Sequence, residues 1–296
     1  MEIVFLGTSC TQPTKERSHP AVLLIYKGEH ILIDCGEGTQ RQLKIAGIKP
    51  SKITKMLISH WHGDHVLGIP GLIQTMGVSD YSKQLLIFGP KGSKDHMKYM
   101  LKAFESRGSV DFIVKDVSNG QFYECEEYLL ESYVLNHNPK SLGFRFVEKD
   151  RRRIDVRKIK ILGIPEGPLL GKLQQGKNIT WQGKKVMSDD VTYIVKGKII
   201  SYIGDTGMCN NCVKVAKNAD LLISESTFLD QDKDKAEERL HLTAKDAGLI
   251  ASQAEAKNLV LTHFSLRYKD SKDMVDEAQT YFNNVKAAYD FAKFKV

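Results

Sequence analysis

His60-Trp61-His62-Gly63-Asp64-His65 gathers four metal-ligand side chains into one short turn. Imidazole nitrogen and carboxylate oxygen together suit zinc, at ligand distances of about 2.0–2.2 Å. His60 and His62, two residues apart at the end of an extended segment, can converge on one ion. Asp64 and His65 are displaced enough to serve a second. Gly63 lets the backbone fold sharply, so that all four side chains share one pocket. The chain has 9 histidines in 296 residues, so three within this one turn are not the scatter of a surface loop.

The apolar run 53–59 just before it reads as a buried strand that delivers His60 at its C-terminal end. Upstream, residues 22–26 and 31–34 are apolar and β-rich, and Lys27-Gly28-Glu29-His30 joins them as a hairpin. The turn Gly36-Glu37-Gly38 leads into a short helix at 43–46. Downstream, residues 66–76 read as one helix, with Pro70 awkwardly early in it. A strand at 85–88, an amphipathic helix at 95–105 and a long β stretch or hairpin at 122–136 follow.

The second half repeats this plan loosely. Residues 193–195 and 199–203 read as a hairpin about Lys196-Gly197, ending at Gly204-Asp205-Thr206-Gly207 as the first ends at Asp34-Cys35-Gly36. Leu57-Ile58-Ser59-His60 likewise matches Leu222-Ile223-Ser224-Glu225. Two βαβ-rich halves with equivalent strand ends predict two sheets packed face to face, helices outside, and a site at the edge where both sets of strands finish. His137, Asp205 and His263 each follow an apolar strand and are the candidates to complete the metal shell. Asp34 and Glu225 also end strands and are expected to accept hydrogen bonds from imidazoles.

Between the halves, residues 148–189 change character. Arg151-Arg152-Arg153 and Arg157-Lys158 are followed by Gly163-Ile164-Pro165-Glu166-Gly167-Pro168, then Gly171, Gly176 and Gly183. This predicts an inserted arm on a single domain spanning 1–296, with Gly and Pro interrupting regular structure. Residues 271–296 include an amphipathic packing helix carrying Met274, Val275, Ala278, Tyr281 and Phe282.

Composition adds bounds. Hydrophobic content of 42% with 27% charged residues fits a soluble globular protein. Lys plus Arg at 43 against Asp plus Glu at 36 gives +7, which permits an anionic partner such as RNA. No apolar run is long enough for a bilayer and the opening MEIVFLG lacks a signal-peptide pattern, so a cytoplasmic protein without membrane attachment is expected. The 5 cysteines are odd in number and scattered, which argues against a disulfide scaffold. Cys209-x-x-Cys212 reads as an incidental pair.

Taken together, the His60–His65 run, His137, Gly204-Asp205-Thr206 and Thr262-His263-Phe264 resemble the metallo-β-lactamase superfamily, whose fold is an α/β αββα sandwich of two mixed sheets flanked by helices. Within it the chain is similar to the ribonuclease Z family of tRNA 3′-processing endoribonucleases. That likeness is carried by Asp34-Cys35-Gly36-Glu37-Gly38-Thr39-Gln40-Arg41-Gln42, Pro13-Thr14-Lys15-Glu16-Arg17, the Gly163–Pro168 run, Glu225-Ser226-Thr227-Phe228 and His241-Leu242-Thr243. It extends from residue 1 to about 268.

The resemblance implies two Zn2+ per subunit. His60, His62 and His137 would hold one, Asp64, His65 and His263 the other, and Asp205 would bridge them. Asp64, while ligating, would accept the proton of the attacking water. His241, held by Glu225, would protonate the leaving ribose 3′-oxygen. The products would be tRNA with a 3′-hydroxyl and a trailer with a 5′-phosphate. Lys15 and Arg17 would lie near the acceptor-stem end. Gly163, Pro165, Gly167 and Pro168 would belong to an arm that grips the precursor tRNA, and the family state is a homodimer. The family pattern has Asn where Ser18 stands and His where Ser224 stands. The alternative is another hydrolase of this fold, acting on a small phosphodiester or a thioester; such an enzyme has no use for a basic arm.

Overall fold

The computed structural model describes residues 1–79, 81–105 and 110–296. Its first half supplies strands β1 (Glu2–Gly7), β2 (Ala21–Tyr26), β3 (Glu29–Ile33), β4 (Ile53–Leu57), β5 (Leu85–Gly89) and β6 (Phe112–Asp116). Next come β7 (Gly120–Glu124), β8 (Tyr128–Val134) and β9 (Leu142–Glu148). An insert carries β10 (Arg151–Ile154), β11 (Ile179–Trp181), β12 (Lys184–Val186) and β13 (Thr192–Val195). The chain then adds β14 (Ile199–Ile203), β15 (Leu221–Glu225), β16 (Leu259–Thr262), β17 (Val285–Ala287) and β18 (Lys293–Lys295).

Two seven-stranded sheets result, in the orders β18-β1-β2-β3-β4-β5-β6 and β17-β16-β15-β14-β9-β8-β7. Alternation along each strand gives each sheet two apolar faces. Leu32, Met56, Ile58 and Ile87 pack outward with Leu43, Leu72 and Met97 of flanking helices. Ile203, Leu222 and Leu261 pack outward with Val215, Ala247 and Ile250. The other faces meet each other: Phe88 of β5 lies 4.9 Å from Phe122 of β7, ring to ring, and Tyr26 of β2 lies 5.2 Å from Phe146 of β9. This is the expected sandwich of helix, sheet, sheet and helix.

Parallel pairing places the site. β3 and β4 run parallel, with Ile33 opposite Leu57, and β14, β15 and β16 run parallel, with Ile203 opposite Ser224 and Glu225 opposite Thr262. Their carboxyl ends therefore emerge along one edge, delivering Asp34, His60, Asp205, Glu225 and His263 together, the usual position for a ligand in open α/β sheets.

Several local expectations change. Residues 66–76 are not one helix; Gly63–Val66 and Ile69–Gly77 are separate. The chain breaks at Gly68, where a Cβ would lie 2.0 Å from the Gly36 carbonyl oxygen. Pro70 then falls in the first turn of the second helix, where a missing N–H costs nothing. The 22–34 hairpin forms, and Lys27 and Gly28 both take positive φ, 47° and 84°, as a tight hairpin turn requires.

No hairpin forms between 193–195 and 199–203. β13 pairs with β10, Arg151 opposite Val195, whereas β14 pairs with β15. Asp150 accepts from the Gly197 N–H and from Lys196 Nζ, and a Cβ on Gly197 would lie 1.8 Å from the Glu148 carbonyl oxygen. Those contacts hold the segment open.

The insert is also more regular than its Gly and Pro content suggested. Residues Val147–Lys198, with Cys125–Leu129, form a compact unit of their own. It contains helices Val156–Ile161, Pro168–Gln174 and Ser188–Val191, and a core of Ile159, Ile164, Leu173, Ile179, Val186 and Val191. Pro168 opens a helix rather than breaking one. The C-terminal helix is Lys272–Gln279, with Met274 and Ala278 buried; β17 and β18 beyond it escaped the sequence reading because each has only 3 residues.

Candidate active site

The two oxygens of Asp205 face two separate sets of side chains. Oδ2 lies 3.7 Å from His60 Nε2 and 3.9 Å from His137 Nε2. His62 Nδ1 completes that set, 2.9 Å from His60 Nε2 and 3.4 Å from His137 Nε2. Oδ1 lies 3.4 Å from His65 Nε2 and 3.2 Å from His263 Nε2. Asp64 Oδ2 completes the second set, 3.5 Å from His65 Nε2 and 3.8 Å from His263 Nε2. Two atoms bound to one tetrahedral ion at about 2.0–2.1 Å stand about 3.3 Å apart. Both sets straddle that spacing, so the donors present fit divalent cations.

The outer nitrogens of four imidazoles are fixed by their partners. His137 Nδ1 donates to the Leu240 carbonyl oxygen at 2.9 Å, and His65 Nδ1 donates to Asp34 Oδ2 at 2.9 Å. Ser59 Oγ donates to Asp34 Oδ2 at 2.8 Å, so it accepts from His60 Nδ1 at 3.0 Å. Thr227 Oγ1 donates to Glu225 and accepts from His263 Nδ1 at 2.9 Å. All four rings therefore turn Nδ1–H outward onto an acceptor and point Nε2 inward, the orientation a metal ligand needs. His65 Nε2, His263 Nε2 and Asp205 Oδ1 are buried without any hydrogen-bond partner among the described residues. Orphaned buried acceptors are costly, and a cation satisfies all three at once.

Electrostatics agree. Asp34 and Glu225 are fully buried and Asp205 nearly so. Burial works against the charge on Asp205, but the imidazoles of His263, His65 and His60 outweigh it and hold the carboxyl well below its usual range. His60 is pushed the other way: burial, then the neighbouring His65, lowers its pKa well below the ordinary imidazole value. Burial opposes a charge on His65 too, but the Asp205 and Asp34 carboxylates outweigh it and shift this ring well above that value; the buried acids of this site draw positive charge to it. Asp34 and His263 also sit at positive φ, 57° and 60°, a strained state common at functional sites.

His241 stands beside both sets, its ring 5.3 Å from that of His137 and 5.7 Å from that of His263. Its Nδ1 lies 3.1 and 3.2 Å from the two oxygens of Glu225. Glu225 in turn accepts from the Thr206 N–H at 2.7 Å. Burial opposes a charge on His241, but the Glu225 carboxylate outweighs it and raises the pKa to about 9. His62, Asp64, His137, Asp205 and His241 line one open cleft of about 730 Å3.

Other expected residues divide. Lys15 is exposed in the 13–17 loop. Arg17 is tied down instead: it donates to Thr8 Oγ1 at 2.7 Å and to the Ala288 carbonyl oxygen, and its guanidinium covers the Phe264 ring at 4.6 Å. Gly163, Pro165, Gly167 and Pro168 are exposed in the compact insert. Ser18, in place of the family's Asn, donates its N–H to Asp290, and Ser224 is buried with its hydroxyl on the Glu225 carbonyl oxygen. Sequence reasoning missed Thr227, Tyr202 (whose hydroxyl donates to Asp34 at 3.1 Å) and the Leu240 carbonyl. Arg239 and Arg267, which line an adjoining pocket with His241, were missed as well. Only the fold, not local pattern, brings these groups to the site.

The sandwich and its two-sided aspartate define a metallo-hydrolase of the β-lactamase superfamily. Residues 173–264 match the Beta-lactamase superfamily domain, and residues 1–152 match the family described as Anti-Pycsar protein Apyc1. Ribonuclease Z of Methanothermobacter thermautotrophicus is 39% identical over 100% of this chain and 97% of its own. Ribonuclease Z of Archaeoglobus fulgidus is 37% identical over 100% of this chain and 97% of its own. Among solved structures, human tRNase Z, short form, superposes with a TM-score of 0.74 at 29% identity, covering 100% of this chain and 99% of that one. The chain belongs to the ribonuclease Z family, and is an endoribonuclease.

Proposed function

We propose that this chain is a dinuclear zinc endoribonuclease that removes the 3′ trailer from precursor tRNA, leaving a 3′-hydroxyl on the tRNA and a 5′-phosphate on the trailer. The observation that carries this is Asp205, whose two oxygens each face their own set of inward-turned ligands. His60, His62 and His137 would hold one ion and Asp64, His65 and His263 the other, with Asp205 available to each set. When bound, such a pair supplies Lewis acidity, acidifying water and offsetting charge on a phosphodiester.

The protein's own groups do the rest. Asp64, kept in place by the Thr11 N–H at 2.9 Å, accepts a proton from the attacking water. His241 keeps one N–H on Glu225, so its Nε2 can present a proton to the leaving ribose 3′-oxygen. A raised pKa keeps that proton available at neutral pH.

The insert is the RNA grip in this reading. Residues 147–198 hold thirteen Lys and Arg against six Asp and Glu, while the rest of the chain holds thirty of each, so the whole net charge of +7 resides there. Paired charges account for Arg151, Arg152 and Lys196 only in part, and Gly163, Pro165, Gly167 and Pro168 lie exposed on the same unit. Lys15, in its exposed loop, meets the acceptor end, with Arg17 bracing that loop from beneath. The enzyme acts as a homodimer in the cytoplasm, as the family likeness implies. Among the described residues no helix is long and apolar enough to cross a membrane.

End-labelled precursor tRNA, incubated with and without a chelator and mapped at both product ends, tests the reading. A chelator-sensitive cut giving 3′-hydroxyl and 5′-phosphate ends is expected. A cut that survives metal removal, or leaves a 5′-hydroxyl on the trailer, overturns it.

A further inference from the structure

Cys209 and Cys212 are the chemistry-bearing pair that the metal centre does not use. Their sulfurs stand 3.5 Å apart. Cys212 is fully buried in the core beside Leu135, Val215 and Ala216, whereas Cys209 is half-buried. The Cys212 N–H donates to the Cys209 carbonyl oxygen at 3.0 Å and closes a turn between them. A turn of this kind keeps its end Cα atoms within roughly 7 Å, a separation that a disulfide spans at about 4.4–6.8 Å.

The pair is built into the loop that carries Asp205. Thr206 donates its N–H to Glu225 and accepts the Asn136 N–H at 3.0 Å, and Gly207 donates its N–H to the Asn136 carbonyl oxygen at 2.8 Å. Asn211 Nδ2 donates to the Val134 carbonyl oxygen at 2.7 Å. A short hydrogen-bonded span therefore ties the cysteines to Asp205 on one side and to the strand end bearing His137 on the other.

We propose that Cys209 and Cys212 form a reversible dithiol–disulfide site whose oxidation shifts the Asp205 loop and slows RNA cleavage, a proposal that rests on the metal-centre reading above. The oxidant is a low-molecular-weight disulfide, RSSR. The Cys209 thiolate attacks one of its sulfurs, forming a mixed disulfide and releasing RS−. Cys212 then loses its proton and attacks Cys209 Sγ, expelling the second RS−. In sum, two protein thiols and RSSR give one protein disulfide and two RSH. The sulfurs must close from 3.5 Å to about 2.05 Å. Cys212 is locked in the core, so Cys209 and its loop make the move.

Selectivity follows from the surroundings. Hydrogen bonding from Cys212 holds the Cys209 thiol well below its ordinary range. Burial pushes Cys10 and Cys35 up to about 12, leaving them almost no thiolate.

The test equilibrates full-length, metal-loaded protein in glutathione buffers from fully reduced to fully oxidised. Thiols are trapped by alkylation, disulfides mapped by peptide mass, and precursor tRNA cleavage assayed in parallel. The proposal expects one disulfide, Cys209–Cys212, and a rate lower by roughly ten-fold or more, since displacements near 1 Å at a catalytic constellation are that costly. Dithiothreitol should restore the rate, and Cys209→Ser, at the half-buried position, should keep it under oxidised glutathione. Cys212→Ala serves as a second variant with the same expectation. No disulfide at this pair, an oxidised protein of unchanged rate, or equal inhibition of both variants would overturn the proposal. A reduced protein that fails to cleave precursor tRNA instead counts against the proposed function, and the disulfide map stands or falls separately.

Discussion

Replacing Asp34 by Asn isolates how much the centre depends on a residue outside both proposed ligand sets. Asp34 Oδ2 accepts from His65 Nδ1, Ser59 Oγ and the Tyr202 hydroxyl, and Oδ1 accepts from the Ser59 N–H at 2.7 Å. Asn tolerates the same positive φ, so the backbone need not move. An amide, however, has one acceptor and one donor side. With its NH2 toward His65, donors face donors; turned the other way, the NH2 faces the Ser59 N–H. Either orientation leaves buried donors unpaired. Charge-assisted hydrogen bonds are worth about 1.5–3 kcal/mol each, so loss of one or two predicts roughly 1.5–6 kcal/mol of destabilisation in metal-free protein. His65 also loses the partner that fixes its tautomer, and such losses cost about 10–100-fold in metal affinity. Competition against a fluorescent chelator gives the affinity, and urea unfolding in excess chelator gives the stability. An Asp34→Asn protein that binds metal within two-fold of the parent and unfolds at the same urea concentration would refute the reasoning.

Three further outcomes are expected. Replacing His241 with Ala should lower kcat on precursor tRNA by about 10²–10⁴-fold, yet spare bis(p-nitrophenyl) phosphate, whose leaving group needs no proton; equal losses on both substrates would remove His241 as the acid. In metal-free protein, His241 is raised to about 9 from the ordinary imidazole value of 6.5, so its pairing with Glu225 stabilises fully below pH 6.5 and is lost as pH climbs through about 9. The urea midpoint should therefore fall across that window by an amount worth at most about 3 kcal/mol, and Glu225→Gln should flatten the curve; a parent curve that is already flat contradicts the pairing. Because Arg151 lies opposite Val195, the insert can be cut there and closed with a short Gly/Ser linker. That variant should lose precursor tRNA binding and most of the salt dependence of what remains while still hydrolysing bis(p-nitrophenyl) phosphate, and parallel loss of both activities would deny the insert its role in RNA binding.

The centre was legible in sequence to the extent that it is local. His60, His62, Asp64 and His65 lie in one run, and His137, Asp205 and His263 each close an apolar strand, so chemistry and periodicity could be read together. What anchors them was not legible. The Leu240 carbonyl has no side-chain signature, and Thr227 is one hydroxyl among many until β15 and β16 bring it against His263. The insert misled for a related reason: Gly and Pro mark breaks in periodicity, but Gly167 and Pro168 sit where a helix begins. The apparent second hairpin failed because Lys196-Gly197 copies a turn dipeptide without its geometry, and Asp150 has claimed the donors.

One regularity joins these misses. Four imidazoles present Nε2 to the centre because four unrelated acceptors hold Nδ1: a backbone carbonyl, a carboxylate and two hydroxyls. Both hydroxyls donate onward to carboxylates, Ser59 to Asp34 and Thr227 to Glu225. Three of the four Nδ1 protons are thus directed, straight or through a hydroxyl, by a buried acid outside the two proposed ligand sets. Asp34 governs His65 and, through Ser59, His60, which belong to different proposed ligand sets. Glu225 governs His263 through Thr227 and His241 directly, linking a proposed ligand to the proposed proton donor. The two acids end strands in different halves, Asp34 just after β3 and Glu225 at the end of β15, so each half contributes one carboxylate that aligns imidazoles for the shared edge. Loss of either acid should therefore disturb both ligand sets or both chemical roles together, whereas loss of a ligand confined to one set, such as His62 or His263, should disturb that set alone.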